Sequence, residues 1–529
     1  MPVDPAAIVI MIIISMSGIL NCVVLFFRRK TRESQIADEF YLANRKLGAV
    51  ETGIGIAALY FGSAGITTLV ASIYKTNRIS WSVLLEIVVS VVAAYLIGAR
   101  IRIQTDDSND ATTITWLARE YRSETLVPLV FAACILTIIP SVALVHVKIA
   151  ESIWKESSFS NINGLYFILI TIITTMISIT GLKGTVRFQA AVFATTTLFL
   201  LMSAFFAYKI APDIFTAGSN NAVASSRLIR PSILADSLET SVFSSILIAC
   251  VPILRFSSII RYQASQNSRI VKRGAVLFAA ISIVGVILPL YIIARFAAAS
   301  FPPRIDEQWN ILPNPILGSS SDDFSRIIPV IARFISVKVF GRFHIIFPNL
   351  LILSFTAIAI GSFITYIHLF GSIFSKNIYS RFLRGNCGLS EAVLVGRVSM
   401  ILVGLILLLI IIIENNYASN FRPSVLLTEI AMTSGAIAVQ FIPSLIDRLY
   451  LKHWSKYGVV VGFSVGVIIV VLTSDLATAI FAKVWPSLLN RQVFQYLHSN
   501  YYLPAFFINI CVLIIVGGVH RSLRRDDHG

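Results

Sequence analysis

The residues best suited to handle an ion or a small polar solute are few, and they sit inside apolar stretches. Gly62, Ser63 and Gly65 interrupt a long apolar run just after Tyr60 and Phe61 (GIGIAALYFGSAGITTLVA). A second run, SSILIACVPILRFSSIIR, carries Pro252 in its interior, with Phe243 just before it and Arg255 just past the proline. Glycine or proline inside a spanning helix frees main-chain carbonyls, and such backbone is tolerated at membrane depth only where it lines a cavity. Tyr60, Ser63, Gly65 and Phe243 are therefore candidate solute contacts. The competing reading is close helix packing by small residues and aromatics. Charges within such runs are costly and usually face protein or water. Glu86 and Glu429 lie about seven residues into their runs and are candidate proton-titrating groups or paired structural charges. Arg255 could attract an anionic solute or snorkel to an interface. His368 reads as structural.

No catalytic constellation competes with these groups. The chain has no GxxxxGK[ST] loop for nucleotide phosphates, and no HExxH or GxSxG in a usable context. Its five cysteines, Cys22, Cys134, Cys250, Cys387 and Cys511, form no CxxC or Cys/His pattern. The chain reads as a non-enzyme.

The elements that would hold these residues follow from composition. Only 13% of the 529 residues are charged and 56% are hydrophobic, about half the charge of a soluble domain. A soluble enzyme, a disordered chain and a disulfide scaffold are excluded. Unbroken Ile/Leu/Val runs argue for helices rather than barrel strands, so the fold class is an all-α integral membrane protein. Thirteen spans are predicted: 6–27, 49–73, 79–99, 125–147, 162–182, 187–208, 235–258, 274–298, 344–370, 393–413, 423–446, 457–478 and 501–519. The first run is preceded by MPVDP and followed by RRK, which favours a retained helix with its N-terminus outside over a signal peptide. The net charge of +16 is topological, since Arg28, Arg29, Lys30, Arg32, Arg45, Lys46, Arg269, Lys272 and Arg273 all fall in predicted inner loops. The basic loop 299–343 opposes that bias. Nucleic acid is not an expected partner. An odd number of spans then puts the C-terminus in the cytoplasm. Short surface helices are predicted in 101–124 and over Asp323 to Lys338. The broken spans two and seven are five apart, as two inverted repeats of five spans require.

Eight stretches, in order, resemble the sodium:solute symporter family: ADEFYLANRKLG (37–48), ALYFGSAGITTLVASIYKTN (58–77), TITWLAREYRS (113–123), TGLKGTVRFQ (180–189), IIRYQASQNSRIVKRGAVL (259–277), AIAIGSFITYIHLFGSIFSKNIYSRF (357–382), VLVGRVSMILVG (393–404) and FIPSLIDRLYLKHWSKYGVVVGFSVGV (441–467). The resemblance implies the leucine-transporter fold with a 5+5 inverted repeat. The expected divisions are a peripheral segment 1–36, repeats over 37–210 and 211–447, and a peripheral segment 448–529. It also implies alternating access and coupling to sodium.

The same resemblance places sodium-binding carbonyls at Ala58, Phe61 and Ile358, and hydroxyls at positions 361 and 362. Ser362 is present, but position 361 is glycine, so Thr365 or water would have to replace one hydroxyl. Gln189 stands where the family often has an aspartate implicated in ion handling. Both departures weaken the sodium site. The expectation is a secondary active symporter for a small polar organic solute, with sodium as coupling ion and no resident cofactor. The alternatives are a membrane solute sensor, or a proton-coupled or uncoupled carrier. The expected partners are the lipid bilayer and the solute, with no obligatory protein partner.

Overall fold

The computed structural model describes residues 5–28, 33–105, 110–160, 164–216, 255–302, 304–305, 311–312, 326–341, 345–416, 423–474, 477–478 and 502–526. Helix α1 (Pro5–Arg28) is followed by α2 (Glu33–Leu42), α3 (Ala49–Tyr60) and α4 (Ser63–Thr76). Next come α5 (Trp81–Ala93), α6 (Ala99–Gln104), α7 (Thr113–Glu120), α8 (Leu126–Trp154) and α9 (Leu165–Ile210). Beyond residue 254 lie α10 (Phe256–Ala264), α11 (Ser268–Ala280), α12 (Leu288–Ser300) and α13 (Ile327–Phe340). The chain ends with α14 (Ile346–Ile373), α15 (Leu389–Asn416), α16 (Pro423–Val439), α17 (Lys456–Leu472) and α18 (Tyr502–Asp526).

Among the described residues, nine helices are long and apolar enough to cross a membrane, and the bent pair α3 and α4 makes ten. α17 is a shorter apolar helix. α9 carries two predicted spans in one run of 46 residues. A straight helix of that length would reach about 69 Å, more than twice the thickness of a hydrocarbon core. The chain kinks instead at Gly181 (φ 68°, ψ −149°). A Cβ there would lie 2.7 Å from the Phe40 Cα, so only glycine fits both the backbone angle and the neighbouring α2. Residues 235–254 of the seventh predicted span lie outside the described residues. Short helices do lie in 101–124 and near Asp323, as α7 and α13, the latter described from Ile327, but α7 is no surface helix: Thr113 to Ala118 are buried, with Trp116 and Leu117 wholly enclosed.

α14 is the centre of the molecule. It packs against α8, α9 and α15, and its buried face extends from Phe347 to Ile373. α3 packs on α11, and α4 on α12. The periphery is apolar on the outside: Ile13 is 60% exposed, Leu20 63% and Ile515 63%. In water such surface would be unfavourable, whereas in hydrocarbon it is solvated.

Candidate functional site

The site is built where α3 stops. Its hydrogen-bond ladder ends at Phe61 N–H to Ala57 O (2.7 Å) and restarts at Ile66 N–H to Gly62 O (3.1 Å). The two halves are bent by 58°. Helix ends leave carbonyls without helical donors, and here those belong to Ala58 and the residues after it. Gly62 sits extended (φ −53°, ψ 174°) because there is no room for more. A Cβ on it would lie 2.7 Å from Ser362 Oγ and 3.4 Å from Ala58 O. A Cβ on Gly65 would lie 2.4 Å from Tyr60 O. The glycines thus let α14 approach the break closely, with the Ser362 hydroxyl and the Ala58 carbonyl both against Gly62. Ser362 Oγ also donates to Ile358 O (3.2 Å), the carbonyl one turn back on its own helix. Of the four predicted oxygen donors, Ala58 O and Ser362 Oγ both lie against Gly62, and Ile358 O is one turn back from Ser362 on α14. Phe61 is buried at the helix end beside them. Neutral oxygens of this kind suit a hard monovalent cation.

The two departures from the family pattern, 172 positions apart in the sequence, touch each other. The side-chain position missing at Gly361 faces Gln189, whose Cγ would lie 3.4 Å from an added Cβ. Thr365 Oγ1 donates to Gly361 O (2.9 Å) and lies 3.2 Å from Gln189 Oε1. The Gln189 oxygen also accepts from the guanidinium of Arg261, which reaches Gly55 O with its other terminal nitrogen. Arg261 and Gln189 are fully buried. Arginine keeps its charge in proteins. Among the described residues no carboxylate closes an ion pair with Arg261. A full positive charge therefore rests on two neutral oxygens, one turn from the candidate ion site.

A second polar chain flanks the break. Tyr60, the last residue of α3, donates its hydroxyl to Glu86 on α5. Ser63, the first residue of α4, lies 3.2 Å from His146 Nδ1 on α8. The His146 ring stacks on Tyr366 of α14 (5.5 Å between centroids, 16°), and Arg255 Nη1 donates to the Tyr366 hydroxyl (3.4 Å). Tyr60, Ser63, Glu86 and Arg255 are thus gathered around one break. Glu429 is not among them: it lies on α16, which packs against α8, and no hydrogen bond or ion pair joins it to this group. Phe243 and the expected break at 248–252 lie outside the described residues. His368, expected to be structural, holds Phe40 O at 3.1 Å.

His146, Tyr366 and Arg261 escaped the sequence reading. A histidine at the far end of the fourth predicted span is the available signal for the first. Arg261 was read as part of a loop motif, and only its reach to Gly55 shows its role.

Several family-like stretches converge on a second seam. Leu47 N–H donates to Ala264 O and Gln266 N–H to Leu47 O (both 3.1 Å), joining the start of α3 to the end of α10. Thr52 Oγ1 lies 2.9 Å from Ser265 Oγ, and Arg102 Nη2 donates to Gln266 O (2.9 Å). Thr112 Oγ1 donates to Asn377 Oδ1 (2.9 Å). Tyr121 donates to Ser444 O or Asp447 Oδ2 (both 3.0 Å) beneath the Arg448 guanidinium, 3.6 Å from its ring centre.

No protein-family model and no curated protein matches this sequence. Among solved structures, the fold is similar to that of a Na+-coupled sialic acid symporter in its substrate-bound outward-open state. The TM-score is 0.66 at 13% sequence identity, and 98% of each chain is covered. At that identity the likeness is one of fold, and it extends end to end: this chain has the predominantly helical, multi-pass membrane fold seen in that symporter.

Proposed function

We propose that the protein is a secondary active transporter that moves a small polar organic solute by alternating access, coupled to sodium. One observation carries the reading: a helix break at Gly62 frees the Ala58 carbonyl, and the Ser362 hydroxyl of the central helix α14 packs against that same glycine. Unwound backbone at mid-membrane, facing a hydroxyl from a central helix, is the arrangement in which a desolvated cation finds neutral oxygen ligands. The fold shared with a sodium-coupled symporter supports it, as do the eight family-like stretches. In this reading Phe61 O completes the ion site, residues 37–210 and 211–447 form the inverted repeats, the N-terminus faces outward and the C-terminus is cytoplasmic. The seam through Leu47 and Ser265, which joins the start of α3 to the end of α10, then lies on the cytoplasmic side.

The test is uptake of a labelled solute panel into proteoliposomes under imposed sodium or proton gradients. Sodium-driven accumulation that disappears in Ser362→Ala is the expected outcome. Accumulation driven by sodium and unchanged in Ser362→Ala would remove the ion site as drawn.

A further inference from the structure

The first helix leaves a cleft far from the helix break. At Gly18, α1 meets the body closely: a Cβ there would run into Thr175 of α9 and lie 3.3 Å from Ile401 Cδ1 of α15. Toward the C-terminal end of α1 a cleft opens, lined by Cys22, Leu25 and Phe26 of α1, Ile36 of α2, and Val393 and Leu394 of α15. It encloses about 270 Å³, its open mouth included. These walls are apolar, and beside them Phe27 is 79% exposed, a surface suited to hydrocarbon. Two polar side chains complete the lining. Ser390 sits in the first turn of α15, half-buried, and Arg397 two turns further on, 7% exposed. The Arg397 guanidinium stands 5.7 Å from the centre of the Phe40 ring. Glu391, the one acidic residue in the first three turns of α15, is paired with Arg384 (2.7 Å). In the sequence, RRKTR (28–32) follows directly from the α1 wall, four cations in five residues.

The depth of the cleft follows from helix rise. Cys22 precedes the end of α1 by six residues, about 9 Å, and Arg397 follows the start of α15 by eight, about 12 Å. The cleft therefore spans the outer part of one leaflet, where headgroups meet acyl chains. A guanidinium at that depth attracts an anion more strongly than it would in water. Its five donors in a planar fork match a phosphate and leave capacity for existing neighbours. A free anion would have to leave water for an apolar cleft, whereas a lipid is already there and brings a chain for the walls. We propose that the cleft holds one anionic phospholipid, with its phosphate at Arg397 and Ser390 and an acyl chain along Leu25, Phe26 and Leu394. The RRKTR run gathers anionic headgroups at that face and disfavours the cationic end of a zwitterionic one. The site is separate from the α3–α4 break and does not depend on which solute or ion is carried.

The test counts bound lipid by native mass spectrometry. Delipidated full-length protein in one detergent is titrated with phosphatidylglycerol, with phosphatidylcholine of the same chains, with glycerol 3-phosphate and with inorganic phosphate. One phosphatidylglycerol per chain, held at least tenfold tighter than phosphatidylcholine, is the expected result, with neither soluble phosphate binding. Arg397→Gln should bring the two lipids to within about twofold of each other. Leu394→Trp fills the apolar wall without touching the charge and should lower retention of phosphatidylglycerol by tenfold or more, so the proposal stays falsifiable if the arginine variant does not fold. Equal affinity for the two lipids in the unaltered protein overturns the proposal, as does a preference that survives both substitutions. Inorganic phosphate bound as tightly as the lipid would make the cleft a plain anion site and overturn it too. A dimer that must dissociate before lipid binds would assign the cleft to a second copy of the chain, with the same consequence.

Discussion

At the scale of single residues, the ion site turns on two small side chains. A methyl group on Gly62 would stand 2.7 Å from Ser362 Oγ, so Gly62→Ala must push α14 or the break aside. Overpacking of this kind costs about 1–3 kcal/mol. The expected result is a folded protein with lowered melting temperature and no sodium stimulation of uptake. Gly361 is the reverse case. An added Cβ meets Gln189 atoms at 3.4–3.7 Å, ordinary contact, so Gly361→Ser is admitted. A restored hydroxyl, at about 1–3 kcal/mol, should tighten the sodium dependence by about tenfold or more in uptake measured against external sodium. Half-maximal sodium that does not fall in this variant would show that position 361 does not face the ion. Gln189 has a structural duty as well. Gln189→Leu strips Arg261 of one of its two acceptors and should lower stability by about 2 kcal/mol, the scale for a bond to a charged group. Gln189→Asp should raise the melting temperature in detergent, since the guanidinium gains a carboxylate without losing its other acceptor.

At the scale of elements, the devices are breaks and kinks at glycine. Gly181 holds a backbone that only glycine adopts comfortably, with Phe40 against it. Gly181→Ala should cost roughly 1–3 kcal/mol from backbone strain alone, before the clash with Phe40 is added. Loss of the monodisperse peak in size-exclusion chromatography of the expressed variant is the check. Much of this level was legible in the sequence. The α3–α4 break was expected between Tyr60 and Gly65 because glycines interrupt an apolar run, and the structure bends there. The kink in α9 was read as a loop between two spans, because periodicity does not reveal that one residue with positive φ can divide a helix. The contact between Gly361 and Gln189 was beyond any local pattern. Each residue was flagged alone, and only the packing of α9 on α14 joins them. Arg261 was hidden for the same reason, since a long side chain carries its charge far from its own stretch. Glu429 was flagged by burial logic that applied equally to Glu86, and only the placement of α5 and α16 separates the two.

At the scale of the whole molecule, the span arithmetic makes the topology testable. Ten membrane-crossing units among the described residues, the second crossing within α9, the shorter α17 and the predicted span at 235–258 together give thirteen. Single-cysteine labelling near residue 3 and residue 527, on a background lacking the native cysteines, should modify the first from outside and the second only after permeabilisation. Both termini reacting from one side would end that assignment. The uncompensated guanidinium of Arg261 has a consequence at this scale. The proposed alternating access moves helices past one another, and α10 carries a fixed charge that no carboxylate among the described residues pairs with. A charge crossing the full membrane potential does work of about 2.3 kcal/mol per 100 mV, so even a tenth of that path contributes about 0.2 kcal/mol. Under the proposed alternating access, this charge couples the scaffold to the membrane voltage. Its turnover should respond to an imposed potential even when the cargo is electrically neutral, and Arg261→Gln should flatten that response.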